Sequence, residues 1–514
     1  MSPPTYTVAI DFNDDGDFTD TGEALTADLL HMSWRLGVAQ PYDTLAAPVT
    51  ARLTLRNPHR AYSPEYSAAN LKPGVPLRIQ SNDGLTTRTH FTGFIQRVEP
   101  QTGTQGERLA VIHAAGPEHW LTQHRIRLPP QVNARADTII AAVLGSSPLR
   151  QTPIGGYWLL DIAGHAELGT NTRLGGSYPA ALETGKSTFA YAADTWGSGL
   201  TALTAIQQIV ESERGRFYVD RFGQLIFYNR HHTVLTTASV ATFTDDMDGA
   251  FYDYGSHVAN HITVPITPRT LGAPASILWQ LSAPQKVEPG EAGVRRLTAP
   301  YRDSSDRPIG AVQVISPQAG VDFSANTHAD GSGADYTSQV VMNVVEAGAS
   351  AALLEFRNNS VVTIYIQTGA QVRGTPLVLG DPAIVELTDL PSLNLYGPHQ
   401  LHLETPDLGT LEEAENMARF ELVRRKDPRG HIHSLRLSGT LHLAQLLTRT
   451  LFDRITVHES QTNHTADYFI IAEEHEVDLA GARHHTRWLL EPASSSAFWI
   501  LDTSHLDQTT ILAY

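Results

Sequence analysis

The sequence predicts a mainly β chain with an α+β insert, in which two barrel-like β domains near the ends flank an inserted β-sandwich-like domain. Three observations support this fold class. Residues 49–100 alternate apolar and polar side chains between turn residues, as short antiparallel strands do. Residues 201–227 combine a helical apolar stripe with a hairpin pattern. Residues 352–366 hold two aliphatic runs around an Asn-Asn-Ser turn, which is typical of paired strands with one buried face.

The composition is that of a soluble globular chain. Its 514 residues are 41% hydrophobic and 18% charged, and this length predicts about three to five domains. The net charge of −17 argues against a surface that wraps DNA or anionic lipid. The absence of cysteine excludes disulfides and thiolate metal sites. The amino terminus lacks a secretory signal and no apolar run reaches the roughly 18 residues of a membrane span, so we expect synthesis in the cytoplasm and no membrane span.

The patterns divide the chain into four predicted domains. They are an N-terminal β-barrel domain at 1–115, an α+β insert at 116–262, an inserted β-sandwich-like domain at 263–390, and a helix with a second β-barrel domain at 391–514.

The first domain is predicted from strands that stop at turn residues. Leu53 and Leu55 share one face of a strand that halts at Asn57-Pro58, because proline removes a backbone donor and disfavours helix before it. A second strand opens at Leu77 and a third covers 91–98.

The order of short motifs in this domain resembles the minor tail proteins of long-tailed bacterial viruses. Those proteins are similar in turn to the hub proteins that close the tail tube of phages and phage-like particles, where the hub belongs to the baseplate. The matching pieces are Leu53-Leu55-Asn57, Tyr62-Ser63-Pro64, Pro73-Gly74 and Phe91-Gly93-Ile95.

The resemblance implies a structural virion component of the tail, assembled in the host cytoplasm and without enzymatic activity. It implies a homotrimeric hub that links the six-fold tail tube to a trimeric tip or fibre and lines the DNA exit channel. Two similar barrels in each of three chains would give a ring of six. The implied partners are further copies of the chain, the tail tube or distal tail protein, the tip or fibre protein and the tape measure protein, with DNA only in transit.

The start of the chain contains a candidate calcium loop, since oxygen side chains at alternate positions followed by glycine are how such loops begin. Position 12 of the loop is Gly22, with Glu23 one place late. A hairpin turn rich in Asp, Asn and Gly is the alternative interpretation, and a similar turn starts many of the tail proteins. The candidate ligands are Asp11, Asn13, Asp15, the backbone of Asp17, and Asp20, with Glu23 as an alternative to Asp20.

The insert and the C-terminal domain are predicted from helices with clear ends. A helix over 202–210 stops near Gly215 and is followed by a hairpin around Asp220–Gly223, an arrangement that resembles the α+β insert of tail hub proteins. Thr410 and Glu413 form a capping box that starts a second helix. The strands expected after it are 434–437, 454–458, 468–477 and 486–492, followed by a compact tail at 499–514.

No active site is visible in the sequence. Gly-x-Ser-x-Gly and His-Glu-x-x-His are absent. Gly185-Lys186-Ser187 ends like a phosphate loop but lacks its first glycine, so a surface loop is expected. His431 and His433 would share one strand face, whereas His484 and His485 would point apart. We therefore predict a protein that is not an enzyme.

Two functions from different classes fit these observations. The first is the structural tail hub. The alternative is a multidomain carbohydrate-binding protein or glycosidase of the tail tip, in which residues 265–390 hold the sugar. Exposed aromatic side chains in a groove of that region would favour the alternative, since a glycosidase pair of carboxylates leaves no local spacing to recognise.

Overall fold

The computed structural model describes residues 4–13, 17–66, 71–102, 108–147, 170–171, 176–177, 180–196, 200–236, 238–479 and 483–493. β-Strands dominate these residues, so the predicted fold class, mainly β with an α+β insert, is confirmed. Among these ranges, no helix is both long and apolar enough to cross a membrane.

Residues up to 115 form six antiparallel strands in the spatial order β1-β4-β5-β6-β3-β2. Leu53, Leu55 and Leu77 are fully buried, which confirms the predicted alternation. The strands are β1 (Thr5–Ile10), β2 (Leu29–Gly37), β3 (Thr50–Arg56), β4 (Pro76–Asn82), β5 (Thr87–Thr102) and β6 (Arg108–Ala115).

The insert contains the predicted helix and hairpin. Its elements are α1 (Glu118–Gln123), β7 (Gln131–Arg135), α2 (Ala136–Ser146), β8 (Thr170–Asn171), β9 (Gly176–Ser177), β10 (Ala180–Leu182), β11 (Thr188–Ala192), α3 (Ala202–Glu213), β12 (Arg216–Val219), β13 (Leu225–Tyr228) and α4 (His232–Leu235). Helix α3 begins where the Thr201 hydroxyl accepts a hydrogen bond from Thr204 N (3.2 Å). The left-handed residue that ends it is Arg214 (φ 60°). Gly215 is required for a different reason, since a Cβ there would overlap the carbonyl oxygen of Tyr228.

The next region is also β-rich. Its elements are β14 (Ala241–Thr244), β15 (Gly249–Tyr254), β16 (His261–Ile266), β17 (Arg269–Leu271), β18 (Ser276–Gln280), β19 (Gln285–Val287), β20 (Val294–Pro300), β21 (Gly310–Ile315), β22 (Ala325–Asn326), β23 (Val340–Ala347), β24 (Ala351–Asn358), β25 (Ile364–Ile366), β26 (Gln371–Leu379), β27 (Ala383–Thr388), α5 (Leu390–Tyr396) and β28 (Gln400–His402).

The two aliphatic runs of 352–366 do not pair with each other, so the expected hairpin is wrong. Strand β24 lies between β20 and β23, whereas β25 lies between β19 and β22, and both contribute to one core. The turn between them explains the crossing. Asn358 Oδ1 accepts from Ser360 N (2.9 Å), and Asn358 Nδ2 donates to the carbonyl oxygens of Val287 (3.1 Å) and Val362 (2.8 Å). This buried, hydrogen-bonded turn lets the chain pass from one sheet to another.

The C-terminal region contains all four predicted strands. Its elements are α6 (Leu411–Arg425), β29 (Gly430–Ser438), α7 (Gly439–Thr448), β30 (Arg454–Glu459), β31 (His464–Asp478) and β32 (Arg483–Pro492). The Thr410 hydroxyl accepts from Glu413 N (3.4 Å), which confirms the predicted cap. The expected tail at 499–514 lies outside the described residues. Strands β14 and β15, which precede residue 262, join the C-terminal strands as partners of β30 and β29.

Strand β31 connects the two ends of the chain. It is fifteen residues long, so after pairing with β30 it continues alongside β2, while β32 follows its other edge. The end regions therefore form one twelve-stranded sheet and not two separate barrels. Within the described ranges no sheet closes into a barrel.

Candidate functional site

The most distinctive surface of the molecule lies where β2 pairs with β31, which we call the seam. The antiparallel register places Arg35 opposite Glu474 and Ser33 opposite Glu476. Gly37 has φ +95°, and a Cβ there would overlap the Ile471 carbonyl oxygen. Only glycine fits this close approach, so the backbone fixes where the two end regions join.

One face of the seam carries a cavity of about 860 Å³, which we call the seam groove. The groove lies over β2, β3 and β6 on one side and over β29, β31 and β32 on the other. A row of charged side chains crosses the groove from one side to the other. Its members are successive partners on four strands: Arg35, Glu474, Arg487 and Arg436. Both ends of the chain are therefore needed to build this surface.

The charges of this row do not balance. Arg35 Nε donates to Glu474 Oε1 at 2.9 Å, and Arg487 Nη1 lies 3.8 Å from Glu474 Oε2. Arg436 forms no ion pair with a described residue, and its guanidinium lies 4.9 Å from the centre of the Phe251 ring. The row thus holds three cations and one carboxylate, so it is positive although the chain as a whole is strongly acidic.

Alternate side chains of the same strands form a buried aromatic and histidine cluster. The rings of Trp34 and His475 are stacked, with centroids 4.7 Å apart. A hydrogen bond joins His475 Nδ1 and His484 Nε2 (2.9 Å), and another joins Tyr6 Oη and His484 Nδ1 (2.6 Å). His90 lies beside Trp34 in the same cluster. Burial lowers the pKa of His90 and of His484 well below the usual value, so both rings stay neutral.

Buried ion pairs attach the insert and α6 to the main sheet. Arg216 Nη2 donates to Glu491 Oε2 (2.7 Å), and Arg424 Nη2 donates to Glu491 Oε1 (3.3 Å). Arg214 Nη2 donates to Glu421 Oε1 (2.9 Å). Burial raises the pKa of Glu421, but the charges of the neighbouring arginines, first Arg214, lower it to about 2. These ion pairs connect the insert, α6 and β32.

The predicted calcium ligands are only partly brought together. Asp15 lies outside the described residues. Asn13 Nδ2 donates to Asp20 Oδ2 (2.6 Å), Asp17 Oδ1 accepts from both the amide and the hydroxyl of Thr19, and Asp11 is buried. No group of three or more His, Cys, Asp or Glu that could hold a metal occurs within the part of the chain that the structure describes. The calcium site stays a prediction.

Glu23, the displaced ligand of that loop, binds backbone amides. Its carboxylate accepts from Phe12 N (3.2 Å) and Asp20 N (3.1 Å). Burial raises its pKa, and these two hydrogen bonds oppose that shift. This geometry matches the hairpin-turn interpretation, in which side chains cap their own backbone.

The Gly185-Lys186-Ser187 segment is a loop whose amides are already occupied. Gly185 N donates to Asp137 Oδ1 (2.8 Å), while the amides of Lys186 and Ser187 donate to the two carboxylate oxygens of Glu213 (2.8 and 2.7 Å). Carboxylates fill the positions that phosphate oxygens occupy in a nucleotide loop. The segment therefore has a structural role.

The histidine motifs are placed as the strand pattern predicted. His484 is buried and His485 is exposed, so the adjacent pair does point apart. The rings of His431 and His433 lie 6.4 Å apart on one side of β29.

Residues 265–390, where the alternative hypothesis places a sugar, show no exposed aromatic side chain. Its six aromatic residues are buried or half-buried: Trp279, Tyr301, Phe323, Tyr336, Phe356 and Tyr365. The observation that would favour sugar binding is therefore missing from the described residues of 265–390.

Sequence reasoning missed the seam groove and the buried clusters. Their members come from strands near both ends of the chain, so no local spacing connects Arg35 with Arg487 or Trp34 with His475. The only available signal was the alternation within β31 of acidic residues with His475 and Val477, in Glu474-His475-Glu476-Val477-Asp478.

No family model matches this chain, and no curated protein matches its sequence. Solved structures do match. The tail protein from Neisseria meningitidis MC58 shares 8% identity and a TM-score of 0.48, over 95% of this chain and 96% of that one. The 43 kDa tail protein of prophage MuSo2 from Shewanella oneidensis shares 10% identity and a TM-score of 0.49, over 95% and 99%.

A prophage tail protein from Listeria monocytogenes EGD-e matches with 9% identity and a TM-score of 0.40, over 94% of each chain. With such identities and TM-scores below 0.5, the similarity assigns neither a function nor a partner. These structural neighbours are tail proteins, the class of protein that the motifs of residues 53–95 resemble.

Proposed function

We propose that this chain is a structural hub of a phage or phage-like tail. Three copies would form a ring that joins the six-fold tail tube, or the distal tail protein, to a trimeric tip or fibre. The tape measure protein and the exiting DNA would pass through the ring. The proposal places the protein in the virion tail, after assembly in the host cytoplasm, and gives it no catalytic role.

The observation that carries this proposal is the joined sheet. The N-terminal and C-terminal strands pair through β2 and β31, and buried ion pairs attach the insert to both. Each chain thus presents its two end regions as one body, which supports a role as a building block of a larger assembly. The motif resemblance in residues 53–95 points to the same role.

Charge supports the passage of DNA. Three copies of −17 give −51 for the ring, and an acidic or neutral channel wall would not retain phosphates by counterion release. We therefore expect Asp and Glu to outnumber Lys and Arg among side chains that face the channel. A ring that binds duplex DNA tightly at low salt would contradict this expectation.

The test is the mass and shape of the purified full chain. Sedimentation velocity over a range of concentrations, with and without the cognate tail tube, should show a species of three chains. Negative-stain images of that species should show a ring with an open centre. Monomers under both conditions would overturn the proposal.

A further inference from the structure

We propose that the seam groove binds an extended, acidic polypeptide segment of a partner protein. The groove has a volume of about 860 Å³, which lies within the roughly 300–1,000 Å³ range of ligand pockets. This inference concerns one binding surface of the single chain and does not require the ring of the proposed function.

The C-terminal wall of the groove has an uncompensated positive charge. Arg436 and Arg487 are direct partners across β29 and β32, and like charges at such positions destabilise a sheet. Arg436 forms no ion pair with a described residue, while Arg487 shares Glu474 with Arg35. The buried Nε of Arg487 also lacks a hydrogen-bond partner among the described residues. A carboxylate between the two guanidinium groups would remove the repulsion.

The opposite wall offers a second cationic point. Arg52 of β3 is exposed and forms no ion pair with any residue that the structure describes. It pairs with Ser33, two residues from Arg35 along β2, so three strand spacings across the sheet and two residues along it, about 16 Å in all, separate it from Arg487. An extended polypeptide covers that distance in about five residues. Two carboxylates placed four to five residues apart would therefore reach both walls.

The charges between the two walls select a peptide over a nucleic acid. Glu474 and Glu476 stand between Arg52 and Arg487 on the groove floor, and Asp248 lines the same cavity. A continuous row of phosphates would meet these carboxylates, whereas a peptide can place uncharged residues over them. Small and apolar side chains, including Ala51 and Ala114, complete the lining.

The test uses the full chain and fluorescence anisotropy of a labelled peptide of three Glu-Gly-Ser-Gly repeats. The matched probe has glutamine in place of each glutamate, and a ten-nucleotide oligothymidylate reports phosphate binding. We expect the Glu peptide to bind at least tenfold more tightly than the Gln peptide at low salt, and this preference to shrink as salt screens the contacts.

The variants are Arg436→Gln alone and Arg436→Gln with Arg487→Gln. The double variant should weaken binding of the Glu peptide at least tenfold, and the single variant should weaken it less. Arg419→Gln is the matched control, because Arg419 is an exposed arginine on α6, away from the groove. The single variant keeps the test valid if the double variant fails to fold, since Arg436 forms no ion pair with any described residue.

Several results would overturn the proposal. One is equal affinity of the chain for the Glu and Gln peptides. Another is that the groove variants bind the Glu peptide as tightly as the Arg419→Gln control does. Binding of the oligothymidylate alone, lost in the groove variants, would make the occupant a nucleic acid. Self-association of the chain that disappears in the same variants would make it a second copy.

Discussion

Trp34 and His475 stack face to face across the seam, with ring centroids 4.7 Å apart and ring planes 8° apart. Trp34 comes from the nine-residue strand β2 near the start of the chain, and His475 comes from β31 near its end. The stack belongs to a buried cluster in which His484 contacts His475 and Tyr6. This cluster of stacked and hydrogen-bonded rings therefore helps to hold the two end regions together.

The first prediction is that acid weakens the seam. Burial lowers the folded-state pKa of His90 and His484 well below 6.5. The unfolded chain therefore binds more protons below about pH 6.5, and stability falls as the pH drops through that value toward the folded pKa. Urea unfolding midpoints between about pH 8 and about pH 5 measure this loss. His484→Gln should flatten the pH dependence, whereas exposed His485→Gln should leave it unchanged. If the urea unfolding midpoint depends on pH equally in the wild type and in both variants, the prediction is wrong.

The second prediction concerns Glu118, whose carboxylate accepts from Val49 N and is buried with no cationic partner among the described residues. Burial raises its pKa to about 7 from the usual 4.5. The folded state therefore holds the proton longer than the unfolded state, and stability is lost as the pH rises from about 4.5 to about 7. Glu118→Gln keeps an acceptor for Val49 N and removes this loss.

The measurement compares the free energy of unfolding of the two proteins at both ends of that window. Relative to the wild type, Glu118→Gln should gain about 3 kcal/mol between about pH 4.5 and about pH 8. A constant difference across the window would show that the carboxyl titrates normally.

The third prediction separates a buried ion pair from an exposed one on the same helix. Glu421→Gln leaves Arg214 and Arg425 buried with less compensation, so it should cost about 3 kcal/mol of stability. Glu415→Gln removes an exposed partner of Arg419 and should change stability by less than about 0.5 kcal/mol. Denaturant unfolding of both variants in parallel gives the comparison, and similar costs would show that the buried network is not structurally important.

The fourth prediction is the calcium site at Asp11, Asn13, Asp15, Asp17 and Asp20. Binding to the folded state alone raises stability, by about 2.7 kcal/mol when calcium is about 100-fold above Kd. Millimolar calcium should therefore raise the melting temperature over that in chelator, and Asp15→Asn should abolish the increase. Magnesium serves as the control ion. If calcium leaves the melting temperature of the wild type unchanged, the segment is a hairpin turn without a calcium site.

The sequence was most informative where structure is local. The Thr410 cap, the Asp220–Gly223 turn and the strands around Leu53 and Leu77 are set by neighbouring residues, and all are present. Periodicity and turn chemistry act over a few residues, so they can be recognised in a single chain.

Pairings between distant strands were not accessible in the same way. The Asn358 turn looks like a hairpin in sequence, and only its bonds to Val287 and Val362 reveal that the chain changes sheets. The seam depends on the length of β31 and on the register that Gly37 permits. Nothing near either strand in the sequence indicates its partner.

The length of chain between the two seam strands has a consequence for how the protein is made. His31 pairs with Asp478, so nearly the whole chain must leave the ribosome before β2 gains its second neighbour. At about 5–20 residues per second, that wait is on the order of tens of seconds. During it, β2 exposes an unpaired edge to other nascent chains, and edges of that kind promote aggregation. Low expression temperature or added chaperones should therefore raise the soluble yield, and a circular permutant that brings β31 next to β2 in sequence should fold faster than the natural order.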